Sequence, residues 1–422
     1  MLDIKFIREN QDTLKKSLKD RGVKIDLEGL IEVDESRRQT LVKLEELRQK
    51  KNIANDEISR LLKDKKDARA KIASMKSTSG QVDELEAKLR EYQGKLNDLL
   101  LVIPNIAHSS IPVGDASAQK IVRSWGEVKK FDFTPLNHTE IAEALDIIDL
   151  PRAAKIAGSN FVLYKGWGAR LERALINFML DLHTSKHGYT EIFPPFLVNR
   201  RAMIGTGQLP KLEEDMYRLR DEDLFLVPTA EVPLTNMFSD EILEAKKLPI
   251  YYTAYTACFR REAGSYGKDT KGLVRVHQFD KVELVKFVEP ETSYEELEKL
   301  VINAEEVLQL LELPYRLVLL PTRDISFAAS KCYDIEAYAS GIDTWLEVSS
   351  CSNFEAFQAR RANIRFRKDK KVEYLHTLNG SGVALARTLI CILENYQQKD
   401  GSIAIPKVLQ PYLNGESTIP KP

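Results

Sequence analysis

The chain has 422 residues, 43% of them hydrophobic, so it is long enough for two or three domains and apolar enough to bury a sizeable core. With 62 basic against 63 acidic side chains its net charge is −1, which excludes a uniformly basic surface and confines any nucleic-acid-binding patch to one region. Cys258, Cys332, Cys351 and Cys391 form no CxxC pair and have no histidine at ligand spacing, so neither a structural zinc nor a disulfide scaffold is expected. The N-terminus lacks a basic region followed by an apolar run, and no stretch approaches the ~18 apolar residues of a membrane span, which predicts a cytoplasmic protein with no membrane contact.

Residues 1–22 read as a short helical segment stopped at Gly22. Next, Leu30, Val33, Arg37, Thr40, Leu44, Leu47, Lys51, Ala54, Ile58 and Leu61 recur at alternating steps of three and four, a heptad seam interrupted at Arg37, Thr40 and Lys51. A cleaner seam of Val82, Leu85, Leu89, Tyr92, Leu96 and Leu99 follows, closed by Pro104. Two such helices should pair antiparallel as an arm over about 28–101 within a domain of residues 1–103. The segment 77–80 has turn composition, but a tip there would leave unequal helices. Both outer ends must return to one base, so the tip is expected at about 63–68 and 77–80 becomes a phase break. Arg60, Lys63, Lys65, Lys66, Arg69 and Lys71 crowd that tip against Asp64 and Asp67. They are candidate contacts for a phosphate backbone, with a solvated coiled-coil face as the plainer alternative.

Past a linker at 104–115 the pattern changes, and residues 104–422 read as a second domain. Helices are expected over 139–145, 171–187, 293–311, 353–365 and 384–397. Strands are expected over 189–193, 224–227, 251–259, 278–288, 315–320, 333–338 and 344–350. Strands 251–259 and 278–288 are joined by a loop and no helix, which favours an antiparallel sheet flanked by helices, an α+β fold. There is no GxxxxGK[ST] and no GxGxxG, so a nucleotide would need another scaffold.

The stretch from Cys258 to Phe279 is the densest in chemistry. A strand delivers Arg260 and Glu262 to one face, a loop punctuated by Gly264, Gly267 and Gly272 follows, and a second strand returns Arg275 and Phe279. An arginine can stabilise a transferring phosphoryl group, and an aromatic ring can stack on a base. His277 and His376 are read as structural, and Met203, Met216 and Met237 as packing residues.

This stretch resembles motif 2 of the class II aminoacyl-tRNA synthetases, in its seryl form and of the bacterial type, over about 251–287. Gly380–Arg387, on a loop entering a helix, resembles motif 3 (about 376–397). The segment 189–198 after a long helix resembles motif 1 (about 171–198). Three further segments, 205–211, 228–231 and 346–353, are similar to the same family. Ala386 departs from the generic pattern, which often has glutamate there. The resemblance implies a ligase that activates serine with ATP to seryl-adenylate and transfers the seryl group to the 3′ end of serine tRNA. It implies ATP contacts from Arg260, Arg261, Glu262, Val276, Phe279, Glu347, Val348, Ser349, Ser350 and Arg387, with Arg260, Arg275 and Arg387 catalytic. Serine would meet Thr229, Ala230, Glu231, Arg260, Glu283, Asn379 and Ser381, and Mg²⁺ would sit on Glu347 and Ser350. Pro195 would lie in a homodimer interface. The arm would grip the variable arm of serine tRNA, and selenocysteine tRNA is a second substrate the resemblance allows. A related carrier-protein ligase would lack the arm, and a non-catalytic descendant should have lost Arg260, Glu347 or Arg387.

Overall fold

The computed structural model describes residues 1–263 and 272–421, so Gly264 and Gly267 lie outside the described residues. Two compact units emerge: residues 2–19 with 23–103, and the chain from Pro104 onward with Met1 and 20–22.

The first unit is helical, with α1 (Ile4–Glu9), α2 (Gln11–Asp20), α3 (Leu27–Lys63) and α4 (Arg69–Leu101). The single segment expected over 1–22 is two helices, because Asn10 leaves helical geometry (φ −132, ψ 41) and its side-chain amide donates to Phe6 O at 3.0 Å. The helices α3 and α4 are 37 and 33 residues long, about 55 and 50 Å at 1.5 Å per residue. Leu30, Thr40, Leu44 and Ile58 of α3 and Val82, Leu96 and Leu100 of α4 are buried along the seam. The turn spans 64–68, with Lys65 at φ +55. Residues 77–80 remain helical, and one polar interruption of the first seam meets this segment, Lys51 Nζ donating to Ser79 Oγ at 3.0 Å. An Arg48–Glu86 ion pair of 2.9 Å also bridges the helices. At the base, the fully buried Asp34 carboxylate is ringed by Arg8 at 2.6 Å, Arg37 at 2.8 Å and Arg38 at 3.4 Å. Burial alone would raise its pKa, but the hydrogen bonds from Arg8 and Arg37 outweigh that and hold it below the usual carboxylate range.

The second unit is built on an eight-stranded sheet. Its strands are β1 (Lys120–Trp125), β2 (Thr190–Glu191), β3 (Ile250–Phe259), β4 (Gln278–Val288), β5 (Tyr315–Leu319), β6 (Lys331–Ala339), β7 (Thr344–Asn353) and β8 (His376–Ala384), in the order β1-β5-β6-β7-β8-β4-β3-β2. Every pair is antiparallel except β2–β3. Helices α5 (Trp167–Ser185), α6 (Ser293–Leu310) and α7 (Leu385–Tyr396) pack on the sheet. Near the middle of the order, β4 is buried from Lys281 to Val288.

Several expected elements differ. The strand over 189–193 shrinks to the two residues of β2. The helix over 353–365 contracts to Phe357–Ala362, because Asn353 still belongs to β7 and Glu355 turns at φ +49. Residues 380–383, expected as a loop, and Ala384, expected to open the helix, finish β8. The edge strand β1 had no expectation at all: all six of its residues are exposed, so it lacks the in-out alternation that marks a half-buried strand. Met203 and Met216 are buried, but Met237 is 41% exposed and is no packing residue. Among the described residues no helix is long and apolar enough to cross a membrane, and no group of three or more His, Cys, Asp or Glu could hold a metal.

Candidate active site

Phe279, Lys281 and Glu283 alternate along one face of β4, and all three line a cavity of about 590 Å³. Strand β3 ends at Phe259, and the chain beyond it carries Arg260 and Glu262 into the same cavity. The backbone holds this exit in place, with Arg260 N donating to His277 O and Arg261 N to Asp215 O, both at 2.9 Å. The Arg260 guanidinium lies 5.2 Å from the centre of the Phe279 ring, and its Nε donates to Pro228 O at 3.4 Å. Glu262 adopts φ +50, a left-handed conformation costly for a residue with a Cβ, and Arg275 Nη1 donates to its carboxylate at 3.2 Å. On the return leg Gly272 sits at φ +67, where a Cβ would come within 2.3 Å of His138 Nε2. Leu273 N donates to that same nitrogen at 3.3 Å. His138 is in turn fixed by the buried Glu394, whose Oε1 is 2.8 Å from its Nδ1.

Two bulges aim the far wall. The pairing of β7 with β6 slips between Glu347 and Ser349. One extra residue lets Glu347 and Ser350, three apart, both line the cavity. A second slip in β8 falls between Ser381 and Val383. Arg387, near the start of α7, ties three segments together: Nε donates to Val274 O at 3.2 Å, and Nη1 to Glu347 O at 2.8 Å and to the Glu347 carboxylate at 3.4 Å. Opposite Ser350 on β6 lies Asp334. Burial, and then the charge of Glu347, pushes its carboxyl up to about 8.

The other end of the cavity is acidic and fully networked. Glu283, wholly buried, accepts from Thr229 Oγ1 at 2.9 Å and Asn379 Nδ2 at 2.5 Å, and pairs with Lys281 Nζ at 2.5 Å. Glu231 Oε1 accepts from Gln358 Nε2 at 2.6 Å. Burial, then the negative charge of Glu283, lifts the Glu231 carboxyl to about 7.

Thus Thr229, Glu231, Arg260, Glu262, Arg275, Val276, Phe279, Glu283, Glu347, Val348, Ser349, Ser350, Asn379, Ser381 and Arg387 come together around one cavity. Two expected members do not line it. Arg261 is exposed, outside the lining to which Arg260 and Glu262 belong. Ala230 is buried in an apolar cluster with Leu234, Leu243 and Val285. Sequence reasoning missed Lys281, Asp334 and Gln358. Lys281 was within reach, since it stands two residues before Glu283 and therefore on its face; nothing in the sequence marks Gln358. His277 and His376 stay outside the lining, His376 Nδ1 lying 2.9 Å from Ser293 Oγ. Arg60, Lys63, Lys65, Lys66, Arg69 and Lys71 are exposed at the arm's tip, as is Pro195 in the other unit. Lys71 pairs with Glu57, a carboxylate the charge count at the tip omitted.

Residues 1–107 match the seryl-tRNA synthetase N-terminal domain, and residues 213–396 match the class II tRNA synthetase core domain (G, H, P, S and T). A serine–tRNA ligase of Acetivibrio thermocellus is 57% identical over 99% of this chain and 100% of its own length. The chain belongs to the seryl-tRNA synthetase family. A serine–tRNA ligase of Geotalea uraniireducens is 56% identical over 98% of this chain and 99% of its own. The crystal structure of a Pyrococcus horikoshii seryl-tRNA synthetase complexed with ATP superposes with a TM-score of 0.92 at 39% identity, covering 100% of both chains. The cytoplasmic serine–tRNA ligase of Naegleria fowleri in complex with AMP gives 0.87 at 32% identity, covering 99% and 98%. The family's reaction, ATP-dependent ligation of serine to tRNA, is this chain's reaction, carried by a class II core with a helical N-terminal arm.

Proposed function

We propose that the cavity binds ATP at its arginine-lined end and serine at its acidic end, and joins them as seryl-adenylate before the seryl group passes to the 3′ end of serine tRNA. The convergence of Arg260, Arg275 and Arg387 on a cavity that also holds Glu231 and Glu283 carries this reading. Both reactants are anionic where they meet, so fixed cations must offset their repulsion. The serine carboxylate is already ionised near neutral pH and attacks the α-phosphorus as pyrophosphate leaves, so no general base is required. Arg260 steadies the α-phosphate and Phe279 stacks under adenine. Glu262 accepts from the adenine amino group, and Arg275 and Arg387 hold the outer phosphates. Val276, Val348 and Ser349 line the nucleotide's path. The serine ammonium meets Glu231 and Thr229, and its hydroxyl meets Glu283 with Asn379 and Ser381 beside it. A site that hydrogen-bonds a hydroxyl rejects analogues lacking it by roughly 10⁴–10⁵.

Glu347 and Ser350 offer hard oxygen donors on one side of a bulged strand, next to the raised Asp334 carboxyl. Few protein donors with the remainder from phosphate and water is the usual habit of Mg²⁺. Glu347 and Ser350 would hold such an ion, which when bound neutralises phosphate charge.

The exposed cations at the tip of the arm suit the backbone of serine tRNA, and of selenocysteine tRNA if it is charged too. Exposed Pro195, beside Phe193 at 78% exposure, suits an interface with a second copy. Buried free thiols accord with the reducing cytoplasm.

ATP–pyrophosphate exchange across the twenty amino acids tests the reading. Serine alone should drive exchange, and Arg260→Ala should lower it by about 100-fold or more with the melting transition retained. Exchange driven by another amino acid, or undiminished in the variant, refutes it.

A further inference from the structure

Arg21 joins α2 to α3 in sequence, yet it is 8% exposed and lies within the catalytic unit. Its partners among the described residues are backbone carbonyls. Nη1 donates to Asn105 O at 2.9 Å and Ala329 O at 3.1 Å, and Nη2 to Ser326 O at 2.7 Å and Ile325 O at 3.3 Å. Asn105 completes the set: its N donates to Phe327 O at 3.0 Å and its Nδ2 to Ala328 O at 2.9 Å. Five consecutive carbonyls, from Ile325 to Ala329, are therefore held by two residues. A buried guanidinium without a carboxylate is costly, and only several well-aimed acceptors make it tolerable. Arg can serve a curved row of carbonyls because its planar fork carries five donors; lysine cannot.

The turn so held is a wall of the catalytic cavity, which Ser326, Phe327 and Ala328 line. It abuts Gly207, where a Cβ would stand 3.3 Å from Ala328 Cβ. The preceding Thr206 O accepts from Gln358 Nε2 at 3.2 Å, the same nitrogen that donates to Glu231. A chain of packed and bonded groups thus runs from Arg21 through the turn to the acidic end.

We propose that Arg21, with Asn105, is a positioning residue for the serine end of the active site, acting through the 325–329 turn. It touches neither substrate. The proposal rests on the reading that this cavity holds serine, and wild-type serine-dependent exchange tests that reading separately. Arg21→Lys and Arg21→Ala should raise KM for serine about tenfold or more, with KM for ATP and kcat changed by less than about threefold. Asn105→Ala, which leaves Arg21 in place, should shift KM for serine in the same direction by a smaller factor. Millimolar guanidinium should restore much of the serine affinity of Arg21→Ala, an effect a general loss of stability would not produce. Equal changes in both KM values, or a fall in kcat alone, overturns the proposal. Should Arg21→Ala fail to fold, Asn105→Ala decides: an unchanged KM for serine there overturns it.

Discussion

Glu231 holds its proton far more tightly than a free glutamate. Below the ordinary value of 4.5 the folded and unfolded chains are both protonated there, and nothing differs. Between 4.5 and about 7 the unfolded chain has released the proton and the folded one has not, so stability falls as pH rises. Above about 7 the folded protein carries a buried charge costing about 3 kcal/mol for a shift of this size. That same charge is what an incoming ammonium needs. Glu231→Gln should therefore melt higher than wild type at about pH 8 and equal it near pH 4.5, while KM for serine rises and loses its break near 7. Melting curves that coincide at both pH values would dismiss the assignment. The residues of this site were legible to different depths. Arg260, Glu262, Phe279 and Arg387 stood in contiguous motifs. Gln358 did not, because it acts through Thr206, Glu231 and Thr377, partners far away in sequence and brought near only by the fold.

At the scale of elements, the arm was the easiest part to read, since its two seams repeat within each helix and need no knowledge of the rest. Even so, of the polar residues that interrupt the first seam, Lys51 reaches across to Ser79, while Arg37 and Thr40 bond within their own helix. The sheet was harder. Its central strands declared themselves by apolar content, while β1, exposed along its length, left no trace, nor, in a separate small sheet, did the hairpin Arg365–Lys368 with Lys371–Tyr374. Bulges in β7 and β8 were invisible because one extra residue changes register without changing composition. The arm and the cavity belong to different compact units, so the proposed division of labour between them can be tested by deletion. Removing residues 43–88 and rejoining the helices by a short turn should leave serine-dependent exchange within about twofold and lower tRNA charging by about 100-fold or more. Parallel loss of both activities would contradict separable roles.

For the molecule as a whole, a net charge of −1 with cations gathered at one tip predicts that the proposed tRNA contact is local and weakens as ionic strength rises. Assembly is the other whole-molecule question. A side chain as large as Phe193, exposed next to Pro195, has reason to be covered. Light scattering should give twice the chain mass, and Phe193→Asp should shift it towards the single-chain value; a wild-type monomer would rule out the interface. The antiparallel path of the arm has a further consequence. Because the chain leaves and re-enters at one base, seven residues added to α3 and seven to α4 would keep every seam position facing its partner. The extremity would advance by about 10 Å. Reach is in this sense an adjustable quantity, set by counting whole repeats.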